Sequence, residues 1–426
     1  MPEAAVPSVA DAAHVALRLG RLMLTNGADT EHVHESVVAL AGRCGYQAHL
    51  LIAAEGLVLT LVSAEGFRTR LGPAISGMTV NMSALGALDR VCRVGLASVP
   101  DIALIDRQLD KIENGAHRYG PWLVAIGIGI TAAALARLFG GSWSVVGISF
   151  LVGVVTQLLR QTLGAHHTNP VGGAALAAFG GGLFGALAMR VFPGTSPALC
   201  LVVAGMILVP GVPLINGVRD TLGNHVGTGL ARLTLGTATV LAIALGLFLA
   251  AGFAGDALAV AQGFPLLPTG EDLLFSALAG IGYGMLFNVP ARALWACMVC
   301  AMAGHGLRTA VEHLGLELSV ASLIGAFAAT MLARGLAHRF RVAAVTFAFP
   351  GIVAMIPGAY AFRAGIGGLD IMRAGRDAPA ALVGETIGLA VTTIVVTAAI
   401  AIGLCLALAL PVPKPYRSLE STGDPR

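Results

Sequence analysis

The spacing of hydrophobic and polar positions divides this chain near Pro121. Before it, apolar residues recur at helical or alternating intervals between charges. After it, mostly apolar stretches of about twenty residues follow one another as far as Pro411, the length a helix needs to cross a bilayer. In the first part Ala13, Ala16, Leu17 and Leu24 share one stripe and Arg18 and Arg21 another, which predicts an amphipathic helix over Ala10–Asn26 ended by Asn26-Gly27. A second helix follows at once, because Asp29 or Thr30 can accept from its first N–H groups and Val33, Val37, Val38 and Leu40 make a buried face. Tyr46–Ala53 and Leu57–Ser63 are β-rich runs with Glu55-Gly56 and Glu65-Gly66 as turn signals, so a small hairpin or sheet is expected. Ser83–Val94 and Pro100–Asn114 return to helical spacing, the second with Asp106, Asp110 and Glu113 on a solvated face. Residues 1–119 read as one α+β soluble domain.

Beyond it, proline, glycine and charge breaks leave candidate spans near 121–139, 142–159, 171–189, 197–217, 231–254, 273–289, 291–309, 318–336, 342–361 and 381–410. The expected fold class is a polytopic α-helical membrane protein of about ten transmembrane helices. The spans group in fives. Val209-Pro-Gly-Val-Pro-Leu-Ile-Asn216 and Ile356-Pro-Gly-Ala-Tyr-Ala-Phe-Arg363 each end an apolar span with Pro-Gly and place a polar residue six positions after the proline. Leu163-Gly164 and Leu314-Gly315 precede them at similar distances. An odd number of spans per copy inserts the second copy upside down, so two inverted five-helix repeats are expected, 120–254 and 272–411. An external loop 255–271 joins them and a cytoplasmic tail 412–426 follows. Many secondary transporters have this architecture.

Composition narrows the classes. With 56% hydrophobic and 12% charged residues the chain is not built for water alone. Its net charge of +3 is scattered without a basic run, which excludes nucleic acid as a partner. Asp11, His14, Arg18 and Arg21 interrupt the start, so no secretory leader is expected and the N-terminal domain should stay in the cytoplasm. Twelve Lys and Arg flanking the spans on that side against six on the other favour N-in, C-in placement in the cell's inner membrane. The segment 362–379 does not fit, because Arg363, Arg373 and Arg376 fall outside; it folds back, or a span is miscounted. Cys297 and Cys300 form CxxC inside an apolar helix and read as packing residues. His32, His34 and Glu35 do not share a helix face in metal-binding fashion and read as solvated helix surface, so neither metal nor cofactor is expected. Without a phosphate-binding GxxxxGK[ST] loop, transport energy must come from a gradient.

Proline removes a backbone N–H and glycine permits dihedrals closed to other residues, so a span broken at Pro210-Gly211-Val212-Pro213 or Pro357-Gly358 exposes backbone dipoles. Lipid tolerates such groups only inside protein or against a water-filled cavity, which points at a solute route. A simple kink is the other reading. The stretch VPGVPLINGVRDTLGNHVGTGLAR (Val209–Arg232) closely resembles the threonine/serine exporter family, as does LRLGRLMLTNGADTEHV (Leu17–Val33), and the likeness extends to FNVPARALW and the second Pro-Gly. Pro210, Gly211, Asn216, Arg219, Asp220 and Gly223 match the family pattern, and the second half matches more loosely. The resemblance implies a cytoplasmic N-terminal domain, ten spans in two related halves, and efflux of threonine and serine driven by the proton-motive force.

A zwitterionic amino acid needs partners for its ammonium, its carboxylate and a hydroxyl. Asp220 could meet the first, Arg219 or Arg363 the second, and Asn216 or Asn288 the third, with Tyr360 beside the second break. Proton coupling needs a carboxyl whose protonation responds to hydration, for which Glu385 at the start of the last span is the first candidate and Asp220 the second. The expected partners are a small polar amino acid, protons and membrane lipid; a homo-oligomer stays open. A passive channel gated by the soluble domain is the alternative. A membrane-embedded enzyme lacks its motifs here, since GxGD, HExxH and GxSxG are all missing.

Overall fold

The computed structural model describes residues 7–411 except 54, 65, 76, 78, 98–100, 116, 193–197, 256–265 and 341. Loop 255–271 and tail 412–426 therefore lie largely outside the described residues. Helix α1 (Val9–Thr25) is N-capped by Ser8, whose hydroxyl accepts from the Asp11 N–H. It ends at Asn26 and Gly27, the latter at φ +100°, where a side chain would be strained. Asp29 caps α2 (Thr30–Arg43) by accepting from the His32 N–H. Strands β1 (Gln47–Ile52), β2 (Leu57–Ser63) and β3 (Gly66–Leu71) form one antiparallel sheet in that order. Leu57, Leu59 and Leu61 of the central strand are buried, and α1 packs on this strand. The third strand escapes the sequence pattern because all six of its residues are exposed, so nothing apolar alternates with polar. Helices α3 (Met82–Ala97) and α4 (Ile102–Glu113) complete the domain. The acidic face of α4 is not simply solvated: Arg18 reaches Asp106 at 2.7 Å, Asp110 at 2.5 Å and Glu113 at 2.7 Å, fastening α4 to α1.

The long helices follow in order: α5 (Pro121–Leu138), α6 (Trp143–Ala165), α7 (Pro170–Met189), α8 (Ala198–Met206), α9 (Gly211–Leu222) and α10 (Val226–Ala254). Then come α11 (Thr269–Leu286), α12 (Leu294–His313), α13 (Leu318–Phe340), α14 (Val345–Ile352), α15 (Gly358–Ala374) and α16 (Ala380–Ala409). Among the described residues, seven helices are long and apolar enough to cross a membrane, or nine spans if each bent pair counts as one. The α8–α9 pair bends by 55°, and the α14–α15 pair, with a short 3-10 turn between, by 46°. Helix α11 carries Glu271 and Asp272 and is not in that group, yet it packs between α5 and α12. Neighbour relations recur in the two halves. As α6 lies between α5 and α7, α12 lies between α11 and α13; α10 touches α7 and α9, and α16 touches α13 and α15. The halves also cross over, α10 against α15 and α16 against α9.

Both breaks have the same local geometry. Pro210 (φ −76°, ψ 61°) and Pro357 (φ −76°, ψ 48°) centre inverse γ-turns. The next glycine N–H donates back two residues, Gly211 to Val209 at 2.8 Å and Gly358 to Ile356 at 2.7 Å. Pro213 sits in the first turn of α9, where a missing N–H costs no helical bond. The breaks pack on each other: Ile356 and Val353 lie over the α-carbon of Gly211, and Val209 and Met206 over that of Gly358. The expectation that they line a hydrated hollow at mid-depth is therefore corrected, since apolar side chains from each half fill the space between them. The arginine-bearing segment 362–379 is no loop either. Most of it continues α15, with Arg363 buried in the helix and Arg373 over the Phe248 ring of α10 at 4.0 Å.

Candidate functional site

The N-terminal helices and sheet dock on one end of the bundle. The Met82 N–H donates to the Phe287 carbonyl at 2.8 Å and the Tyr119 hydroxyl to that of Val289 at 2.7 Å. Asn288, at φ +57° in the tight turn between α11 and α12, accepts from the Arg118 N–H and donates to Asn81, each at 2.9 Å. Asn288 is thus a latch for the domain and does not meet the other expected binding residues.

Beside it, the loop between α1 and α2 closes on α9 and α10. The Asp220 carboxylate accepts from the Thr30 N–H at 2.9 Å and the Thr30 hydroxyl at 2.8 Å, and lies 3.3 Å from the Arg232 guanidinium. Asn216 donates to the Gly27 carbonyl at 3.1 Å, Arg232 to that of Ala28 at 2.9 Å, and Arg219 pairs with Asp29 at 3.2 Å. Burial alone would raise the Asp29 carboxyl, but Arg219, His32 and hydrogen bonding hold it below its ordinary range. His32 pairs with Asp89 on α3 at 3.1 Å, which corrects its reading as solvated helix surface. Burial opposes its positive charge, yet the Asp89 contact carries its pKa above the ordinary value. The two stretches most like the exporter family, one near the start and one about 190 residues later, are therefore the two faces of one buried contact. Asn216, Arg219 and Asp220 come together as expected, but their polar atoms are engaged by the domain.

A cavity of about 330 Å³ opens at the opposite end of the bundle, walled by Asp272, His305, Arg308, Thr309, Glu312 and Tyr360. The docked turn follows α11 at Phe287, fifteen residues from Asp272, so cavity and domain lie about 22 Å apart along this helix. His305 Nδ1 sits 2.9 Å and 3.0 Å from the two Asp272 oxygens, and the Thr309 hydroxyl donates to Asp272 at 2.7 Å. Arg308 lies 3.8 Å from Glu312 and reaches toward the Met355 carbonyl at 3.5 Å, just before the second break. At the rim Arg137 joins α5 to α11 through Glu271 at 2.6 Å and lies over the Trp143 ring at 5.1 Å. Of the expected residues only Tyr360 lines this cavity. Arg363 is buried one helical turn further along α15, Pro210, Gly211, Pro357 and Gly358 sit in the apolar joint, and Glu385 is on the exposed surface of α16.

Sequence reasoning missed Asp272, His305, Arg308, Thr309 and Glu312. The signal was present, because the last four fall at i, i+3, i+4 and i+7, one face of one helix in an otherwise apolar span.

A family model described as "Putative threonine/serine exporter" matches residues 14–254, and one described as "Threonine/Serine exporter, ThrE" matches 272–410. A threonine/serine exporter of Corynebacterium glutamicum is 24% identical, the alignment covering 83% of this chain and 75% of the relative. A "Probable threonine/serine exporter" of Mycobacterium tuberculosis is also 24% identical, over 82% of this chain and 68% of the relative. A "Probable succinate transporter subunit YjjP" of Escherichia coli is 26% identical, the alignment covering 55% of this chain and 91% of the relative. No solved structure matches.

Proposed function

We infer the function from a premise the comparisons supply, that this chain belongs to the threonine/serine exporter family. It is a multi-pass membrane transporter that exports small polar amino acids, threonine and serine among them. The observation that carries this reading is the charge pattern of the cavity. Arg308 can take a carboxylate in bidentate fashion, Asp272 and Glu312 can take an ammonium, and Thr309 and Tyr360 offer hydroxyls. The relative named for succinate raises a dicarboxylate as substrate; one arginine among several carboxylates suits a zwitterion better than a dianion. The similar local geometry of the Pro-Gly breaks and the recurring neighbour relations support two inverted repeats, with α11 as the tenth span. Lys and Arg flanking the spans support an inner membrane with the soluble domain in the cytoplasm, so the cavity is the outward, release-side vestibule.

Proteoliposomes loaded with labelled threonine, serine or succinate test this. Amino acid is expected to exchange in counterflow and to leave faster under an imposed proton gradient, and Arg308→Ala to cut exchange at least tenfold. Exchange of succinate alone would overturn the substrate assignment. Ionic currents far above carrier turnover would favour the channel alternative.

A further inference from the structure

Asp272 and His305 form an ion pair buried in the wall of the cavity, their side chains 3% and 5% exposed. Besides His305, Asp272 accepts from Thr309 at 2.7 Å and Ser276 at 3.3 Å. The charged groups that face the pair are few. On α12 they are Arg308 and Glu312, which face each other; on α15, Tyr360 with Arg363 behind it; before α13, the exposed Glu317. Arg137 of α5 is taken by Glu271. Helix α14 and the turn after it have no ionisable side chain and contribute the Met355 carbonyl. Arg308 lies against Glu312 and bears on the pair as well, but the imidazolium proton is the positive charge in direct contact with the buried Asp272 carboxylate, and a buried carboxylate without such a contact is costly.

We propose that Asp272 and His305 are the exchangeable-proton site of this carrier, and that the substrate ammonium and the imidazolium proton compete for the Asp272 carboxylate. This rests on the carrier reading above. Asp272 is the cavity carboxylate hydrogen-bonded to an imidazole, so an entering ammonium takes the place of the protonated imidazole. The imidazole N–H then gives its proton to water on the cytoplasmic side, from which the amino acid enters, and no other bond changes. When the amino acid leaves, a proton from the outer solution rebinds. Competition of this kind is exchange of one cation for another, and an inward proton gradient then drives outward transport. Thr309 and Ser276 are positioning residues that fix the carboxylate.

The test uses the full-length protein, folded by size exclusion and thermal melting. In weakly buffered solution, threonine is expected to release protons from the wild type and none from His305→Gln or Asp272→Asn. In proteoliposomes His305→Gln should keep counterflow within a few-fold while losing the acceleration by a proton gradient, whereas Asp272→Asn, which removes the carboxylate that receives the ammonium, should lose both. Thr309→Val should shift the pH midpoint of exchange without abolishing coupling. Equal loss of counterflow and gradient-driven flux in His305→Gln would mean a packing role and overturn the proposal. So would gradient acceleration that survives His305→Gln, or that is lost only in Glu385→Gln. A wild type that carries no amino acid is a separate result: the function reading then fails first and this inference with it.

Discussion

Asp220 shows how one residue changes meaning with its surroundings. In the sequence its place beside Arg219 reads as a binding site; in the fold its carboxylate is buried against Arg232 and occupied by Thr30. Removing it leaves a buried guanidinium uncompensated, so Asp220→Ala is expected to cost about 3–5 kcal/mol. A large fall in melting temperature checks this, and Thr30→Val, which removes only the hydroxyl, should cost about 1–3 kcal/mol. Two titrating groups give the same end of the molecule a pH window. The folded pKa of His32 is raised above its ordinary 6.5, so its contribution is full below that value and fades as pH climbs through the folded pKa. Asp29 is lowered from 3.8, so its contribution is full above that value and fades as pH falls through its folded pKa. Protection of residues 1–119 from protease should therefore weaken at both acidic and alkaline extremes, and His32→Gln should flatten the alkaline limb. The two histidines also mark what was legible at this scale. His32 read as surface because its partner Asp89 lies on another helix, and His305 went unread because its partner sits thirty-three residues away.

At the scale of elements, the Pro-Gly breaks were legible as breaks and not as contacts. Proline and glycine dictate a local turn wherever they stand, so both joints follow from the chain itself. What covers them depends on the other half. A methyl group at Gly211 meets Ile356, so Gly211→Ala is expected to be destabilising by about 1–3 kcal/mol. Combining it with Ile356→Ala should recover part of the loss, and a double-mutant cycle by thermal melting would show coupling of at least about 0.5 kcal/mol. Additive effects would mean the joints do not bear on each other. Most of the long apolar helices lie where the apolar runs predicted them, but the ninth expected span, 342–361, is overrun by α15, which continues to Ala374. Strand β3 was missed for the opposite reason, being wholly exposed.

At the scale of the molecule, the chain unites what separate family models describe, 14–254 and 272–410, and 55% of it covers 91% of a relative named as a subunit. The contacts of α5 with α11, α10 with α15 and α16 with α9 are made between long helices and owe nothing to the link between the halves. Co-expressed fragments 1–255 and 266–426 are therefore expected to co-purify and to restore threonine counterflow to at least about a tenth of the intact level. Fragments that fail to associate would show that the link itself holds the halves together.

Hydrophobic patterning along the chain was enough to find the long apolar helices, the broken helices and the α1, α2, α3 and α4 helices near the N-terminus, because each depends on residues within a few turns of one another. Which polar groups meet was decided by the tertiary structure alone. Thr30 finds Asp220 and Asp272 finds His305 only once helices distant in sequence pack side by side, and a buried charge takes its role from whichever partner that packing brings within reach.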